Sequence, residues 1–305
     1  MERDDAHPIQ PPPNGTEESH AQQYRTDRLQ ALRSSYAEHI MELAGVAPQT
    51  SIDSEIAAAL ASIPREQFVG PPPWRIISSA GHTVTVSDDP AVLYQNVLVA
   101  LDPARGLNNG QPSLHALCLN ALAPRKGESA VHVGAGTGYY TAVLAMLVGE
   151  AGRIDAYEIE PGLAQRAAGN LAQFSQVAVH GRSGAEAPLP ACDLLYVNAS
   201  AAEPLAVWLD ALNPEGRLLF PMAPENELGQ MLLVTRKTDG LYAARFLCGV
   251  QFISCTGAQD PEAVRTLRAA LRKGRWSDVK RLHRNDSPDS SCWCAGRGWW
   301  LSTQE

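Results

Sequence analysis

The sequence predicts an α/β fold built on a mostly parallel sheet. Three observations predict it. Short apolar runs alternate with helical stretches from residue 127 onward, a glycine-rich turn follows the first of those runs, and an acidic residue ends the second. With 305 residues the chain is long enough to bury a core without disulfide or metal staples.

Residues 1–23 contain Pro8, Pro11, Pro12, Pro13 and Gly15 and few apolar side chains, so they bury too little to offset chain entropy and are expected to be disordered. Residues 24–51 read as an N-terminal helical arm. Leu29, Leu32, Tyr36, Ile40 and Leu43 recur every three or four positions, one face of an amphipathic helix over 24–43. Ser51 or Asp53 is expected to cap a second helix running to Ala61, and Pro71-Pro72-Pro73 then forces an extended connection.

Residues 52–256 read as the core. Its strands are expected at Ala130–Val133, Ile154–Tyr157, Val177–Val179, Leu194–Val197 and Leu218–Phe220, with helices at Tyr139–Val148 and Pro161–Phe174. Met231–Thr235 and Tyr242–Phe252, joined through Asp239-Gly240, predict an antiparallel hairpin that closes the sheet.

Residues 257–305 read as an extension. Asp260 fits a helix N-cap, Pro261 the first helical position and Gly274 the stop. Arg265, Arg268 and Arg272 share one helix face, and Val264, Leu267 and Leu271 another. That makes either a solvated helix docked on the core or a docking stripe for an acidic peptide. The segment Cys292–Trp300 is too aromatic for a free tail, so Trp299 and Trp300 are expected to pack back on the domain or on a partner chain.

Charge and cysteine usage exclude several classes. Lys and Arg number 25 against 33 Asp and Glu, a formal net charge of −8. General nucleic-acid binding, which depends on basic residues neutralising phosphates, is not expected. Residues 262–284 nevertheless hold eight basic and two acidic side chains, a local +6 that leaves the rest of the chain at −14. No apolar run approaches the ~18–20 residues that span a bilayer, and no signal-peptide core follows Met1, so no membrane partner is expected. The six cysteines are scattered, and Cys292-Trp293-Cys294 lacks a second ligand pair, so no metal is expected. Free thiols make the cytoplasm the default location.

The candidate site is the string Val131-His-Val-Gly134-Ala-Gly136-Thr-Gly138-Tyr139. Glycines between a strand and a helix let the backbone approach a ligand, and the helix N-terminus offers free N–H groups. A dinucleotide fingerprint would place its third glycine where Tyr139 stands, and no Gly-Lys-Ser/Thr follows for a P-loop. Glu158 ends the next strand about 20 residues on, where a carboxylate can accept hydrogen bonds from both ribose hydroxyls. The ordered set of strand, G-x-G-x-G, helix, strand and acid reads as the S-adenosyl-L-methionine site of a Rossmann-like methyltransferase. Asn198 ends a later strand, where open α/β sheets bind ligands. His115, flanked by Leu114 and Leu117, reads as a packed helical histidine.

Several segments together resemble the protein-L-isoaspartate (D-aspartate) O-methyltransferase family. Ile63-Pro-Arg-Glu-Gln-Phe-Val69 is similar to its Val-Pro-Arg…Phe-Val segment, and Asn109-Gly-Gln-Pro112 to its Ile-Ser-Gln-Pro substrate loop. The glycine loop resembles Leu-Glu-Ile-Gly-Thr-Gly-Ser-Gly-Tyr, and Tyr157-Glu-Ile-Glu-Pro161 the Ile-Glu-Arg-Ile-Pro region. Asp193–Ala201 and Gly216–Pro221 resemble the later core strands, so the likeness covers about residues 52–256.

The resemblance implies carboxyl methylation of a protein or peptide, with isoaspartate repair as the default. It implies cofactor contacts from His132, Gly134, Ala135, Gly136, Thr137, Gly138, Glu158, Arg182, Ser183 and Asn198, and substrate contacts from Asn109, Gly110 and Gln111. Three positions depart from the pattern. Gly110 stands where the family has the loop serine that helps hold the substrate carboxylate, which leaves the catalytic residue unassigned. His132 stands for the acid two before the first glycine, and Gly181-Arg182-Ser183 for a Gly-Asp-Gly. A carboxylate is already ionised at neutral pH and needs no general base. Two alternatives stay open: the same fold acting on another acceptor (a peptide C-terminus, a modified biosynthetic peptide or a small acid), and a cofactor-binding adaptor without turnover. The sequence leaves the oligomeric state open.

Overall fold

The computed structural model describes residues 15–46, 50–78 and 81–304. Three helices open the chain: α1 at Gly15–Leu43, α2 at Ser51–Ser62 and α3 at Glu66–Val69. Helix α1 begins inside the segment expected to be disordered, so the helical arm reaches further back than its apolar periodicity does; residues 1–14 lie outside the described residues. The cap of α2 is Thr50 rather than Ser51 or Asp53. Its hydroxyl accepts from Asp53 N while the Asp53 carboxylate accepts from Thr50 N, a reciprocal capping box.

A small sheet follows, made of β1 (Arg75–Ser78), β2 (Gly81–Val84), β3 (Leu98–Asp102) and β4 (Leu107–Asn108) in the order β2-β1-β3-β4. The alternation rule gave no warning of it, because its strands are short and half-exposed. Trp74, Leu93, Val99 and Val69 form its own apolar cluster.

The main sheet is laid down by β5 (Ser129–Val133), β6 (Arg153–Tyr157), β7 (Val177–His180), β8 (Cys192–Val197) and β9 (Leu212–Met222). Helices α4 (Pro112–Leu122), α5 (Tyr139–Val148), α6 (Pro161–Asn170) and α7 (Ala206–Ala211) are interleaved with them. These five strands are parallel in the order β7-β6-β5-β8-β9, so the order reverses between β5 and β8. Antiparallel strands continue the sheet: β10 (Gly229–Arg236), β11 (Tyr242–Val250), then β12 (Arg281–Arg284), β14 (Trp299–Ser302) and β13 (Cys292–Gly296). The Asp239-Gly240 hairpin forms as expected, but it does not close the sheet, because the aromatic tail adds three more strands beyond it.

Successive strand residues face opposite ways. On β8, Leu194 and Tyr196 join a core with α1, α2, α4 and α5, while Leu195 and Val197 join a second core with α7 and α8 (Pro261–Lys273) on the other face. Asp260 caps α8 by accepting from Glu262 N and Ala263 N, and Gly274 ends it. Two of the three stripe arginines are engaged: Arg268 pairs with Glu227 and Arg265 with Glu262. Among the described residues, no helix is long and apolar enough to cross a membrane.

Candidate active site

The site lies where the order of the parallel strands reverses, the place at which open α/β sheets offer a crevice beyond their carboxyl ends. Strand β5 ends at Val133 and β8 at Val197, so Gly134 and Asn198 face each other across that crevice. Gly134 has φ +74, and a Cβ built on it would lie 3.3 Å from the Asn198 main chain. A side chain there would push the two strand ends apart. The loop is tied back to β6: Gly134 N and Ala135 N donate to Tyr157 O at 2.9 and 3.1 Å, and Gly136 N donates to Glu158 Oε2 at 2.7 Å.

Two joined cavities open on this loop. One, of about 530 Å³, is lined by Asn109, Gly110, Gln111, Ala135, Thr137 and Asn198, with Tyr140 and His115 behind. The other, of about 240 Å³, is lined by Glu158, Ile159, Leu163, Ser183 and Cys255. Gly134, Gly136, Asn108 and Asn198 belong to both, so the pair forms one trough around the glycine loop.

Glu158 is only 6% exposed, and burial raises its carboxyl pKa above the usual range. Its oxygens accept from Gly136 N and Glu160 N, which leaves lone pairs on both for further donors. Asn198 Nδ2 donates to His132 Nε2 at 2.7 Å, and His132 Nδ1 donates to Thr141 Oγ1 at 2.8 Å. That fixes the amide and leaves Asn198 Oδ1 as a buried acceptor without a partner among the described residues.

The structure brings most of the expected residues together but not all of them. His132 does not line the trough. It is fully buried, its pKa is pushed down to about 3 by desolvation, and as a neutral ring it holds Asn198 from behind. The strand pleat turns this position into the core against α5, away from the crevice. Arg182 also stays outside. Its guanidinium lies 4.8 Å from the centroid of Tyr157, and Nη2 donates to Pro188 O at 2.8 Å. Gly138 turns the chain into α5 against Leu171 and does not line the trough. Ser183, by contrast, lines the smaller cavity.

Sequence reasoning missed the far walls. One is Leu98 and Leu101 of β3, and another is the segment Gln251–Cys255 after β11. An ion pair between Arg105 and Glu160 ties the small sheet to the loop after Glu158. No local signal marks these residues, because each reaches the site through long-range packing.

The family model for protein-L-isoaspartate (D-aspartate) O-methyltransferase matches residues 46–260. The chain is 33% identical over 209 residues to the protein-L-isoaspartate O-methyltransferase 2 of Anaeromyxobacter sp. (strain Fw109-5), covering 66% of this chain and 75% of that one. It is 30% identical over 221 residues to the enzyme of the same name from Marinobacter nauticus, covering 70% and 89%. A solved protein-L-isoaspartate O-methyltransferase superposes with a TM-score of 0.58 at 21% identity, over 80% of this chain and 73% of that one. A Plasmodium falciparum structure described by the same family name, in complex with S-adenosyl-L-homocysteine, gives 0.57 at 19% identity, over 73% and 98%. The two structures show a shared fold.

Proposed function

Because the chain belongs to the protein-L-isoaspartate (D-aspartate) O-methyltransferase family, we propose that its trough holds S-adenosyl-L-methionine beside a protein or peptide carboxylate. The chain is an S-adenosyl-L-methionine-dependent O-methyltransferase. When bound, the cofactor supplies a methyl group already activated on a sulfonium.

The trough fits that group on two observations. The crevice at Gly134 is the space a Cβ would fill, and Asn198 Oδ1 is a buried acceptor that lacks a donor among the described residues. Glu158 would accept from the ribose hydroxyls, with Ser183 beside it, while Gly134, Ala135, Gly136 and Thr137 would bring main chain against the rest. Asn198 Oδ1 would take an N–H of the amino-acid end. Asn109, Gly110 and Gln111 lie at the larger cavity and would meet the acceptor. The protein's work is alignment and exclusion of water, since a carboxylate acceptor brings its own ionised nucleophile. Six cysteines, all free, suit a reducing cytoplasm.

The observation that carries this reading is the doubly anchored Glu158 at the trough. Calorimetric titration with S-adenosyl-L-methionine is expected to show saturable binding. Glu158→Gln is expected to weaken it about tenfold, or about 1.4 kcal/mol, the scale of one hydrogen bond to a charged group. Labelled methyl is expected to pass to an isoaspartyl peptide, but not to its aspartyl twin, as a base-labile ester. Binding without transfer to any carboxylate would leave the adaptor reading, and no binding would remove the assignment. Gly110 in the acceptor loop favours widening the panel to peptide C-termini and small acids.

A further inference from the structure

The family match ends at residue 260, and the chain beyond it still reaches the trough. Helix α8 begins at Pro261, one residue past its cap and two past Gln259. Gln259 Nε2 donates to Ser200 O at 3.0 Å and to Ala223 O at 3.1 Å. Ser200 lies two residues past Asn198, its N–H donates to Ile253 O, and its carbonyl accepts from Cys255 N. One amide at the foot of α8 thus ties together the loops that follow β8, β9 and β11. Ala223 opens the turn from β9 to β10.

That turn has a fixed base and an exposed tip. At the base Ala223 N donates to Ala201 O at 3.0 Å. Residues 225–228 are exposed, Leu228 by 72%. Asn226 nevertheless lines the larger cavity, so the tip forms a lip at its mouth. On one side of the lip Gln251 Nε2 donates to Asn226 O at 3.5 Å. Helix α8 grips the next residue: Arg268 Nε and Nη2 lie 2.8 and 2.6 Å from Glu227 Oε1. The charged contact is the stronger of the two, because a neutral hydrogen bond at 3.5 Å is close to its limit. Arg268 itself is fixed by its helix. Val264, Leu267 and Ala270 are buried in the second core, and Trp293 of the aromatic tail fastens the helix end by donating to Gly274 O at 2.8 Å. The other stripe pair, Arg265 with Glu262, stays within the helix, and neither residue lines the trough.

We propose that Arg268, acting through Glu227, is a positioning residue for the methyl acceptor: it holds the lip at the larger cavity, and the lip selects what flanks the acceptor carboxylate. This rests on the methyltransferase reading. The lip offers the exposed Leu228 and the Asn226 amide, with the charge of Glu227 matched by Arg268. That surface suits an acceptor whose carboxylate has an apolar neighbour. The segment after residue 260 thereby sets specificity at a site whose core belongs to the family.

The test uses the full-length enzyme with two acceptors, a blocked isoaspartyl-glycine dipeptide and a hexapeptide with leucine on each side of the isoaspartate. Only the hexapeptide is long enough to meet the lip. Arg268→Met is expected to raise the hexapeptide KM about threefold to fivefold, the upper range for an exposed ion pair. The dipeptide KM and the S-adenosyl-L-methionine Kd should stay within twofold. Arg268→Glu alone should be worse than Arg268→Met, and Arg268→Glu combined with Glu227→Arg should return the hexapeptide KM to within twofold of wild type. Arg265→Glu is the control and should change neither acceptor. An unchanged hexapeptide KM in Arg268→Met, an equal rise for both acceptors, or a charge swap that recovers nothing overturns the proposal. Should the wild type esterify neither acceptor, the isoaspartate assignment falls by itself. Hexapeptide binding is then compared by calorimetry with S-adenosyl-L-homocysteine present. Weaker binding in Arg268→Met than in wild type supports the lip, and equal or absent binding overturns it.

Discussion

The guanidinium of Arg65 is fully buried, and among the described residues its partners are main-chain carbonyls: Leu93 O at 2.5 Å, Gln95 O at 3.0 Å and Val97 O at 2.6 Å. It clamps the segment that leads into β3, whose Leu98 and Leu101 wall the trough. Arg65→Met keeps much of the stem volume but strands three carbonyls, that of Leu93 buried and those of Gln95 and Val97 partly buried. It is expected to cost about 3–5 kcal/mol, read as a lower urea midpoint at unchanged slope. Resemblance to a Pro-Arg…Phe-Val segment singled out Arg65 without saying what it does. The same limit governed the site. Gly134, Gly136 and Glu158 were legible because strand–turn–helix geometry is local and an acid at a strand end has few other uses. His132 and Arg182 were misplaced because a residue's position in a motif does not tell which way the pleat or the next loop turns it. His115 was read as a packed histidine, and it is one.

Elements were legible where periodicity and caps are strong. Helix α5 spans the expected Tyr139–Val148, and α8 has the expected Asp260 cap and Gly274 stop. The tail was expected to pack Trp299 and Trp300 back on the domain or on a partner chain, with no strands foreseen in it, and both side chains are buried. In the fold it is a β-ribbon that pairs β12 with β14 and β14 with β13, outside the Asp-Gly hairpin. Trp299 is 5% exposed, its Nε1 donates to Glu203 Oε2 at 2.7 Å, and its ring takes the space a Cβ on Gly296 would need. Trp293 packs edge-on against Phe246 and donates to Gly274 O at 2.8 Å, which fastens the end of α8. The ribbon is therefore a structural cover for the second core. Trp299→Ala is expected to cost about 3–5 kcal/mol of stability. Cofactor Kd should stay within twofold, since neither Trp299 nor its partner Glu203 lines the trough. A large loss of cofactor affinity in a variant that stays folded would show that the ribbon reaches the site.

At the scale of the whole molecule, burial of neutral titratable groups on both faces of the sheet confines stability to a narrow pH range. His115 and His132 are held below the ordinary value of 6.5, His132 at about 3. In the unfolded chain both take up a proton as pH falls through 6.5, and in the fold neither does. Stability is therefore complete above 6.5 and drops as pH falls below it, by about 1.4 kcal/mol per pH unit for each ring once the unfolded chain is protonated. Glu158 works in the opposite sense, because its raised pKa lets the fold bind a proton before the unfolded chain does. Its effect lies above the ordinary glutamate value of 4.5, so the histidine contribution is read cleanest at the upper end of the acid limb, just below the ordinary histidine value of 6.5. On the alkaline side the thiols of Cys118, Cys192, Cys248, Cys255, Cys292 and Cys294 all sit above their ordinary value of 9.0, chiefly through burial. The unfolded chain releases those protons first, so stability falls again as pH rises through about 9. Urea midpoints measured from pH 5 to 10 in the presence of reductant are expected to trace a dome with its top between about pH 7 and 8.5. His132→Gln should halve the slope of the acid limb and leave the alkaline limb unmoved. An acid limb that keeps its slope in that variant would mean that His132 is protonated in the fold, and the neutral His132–Asn198 bond behind the trough would have to be redrawn.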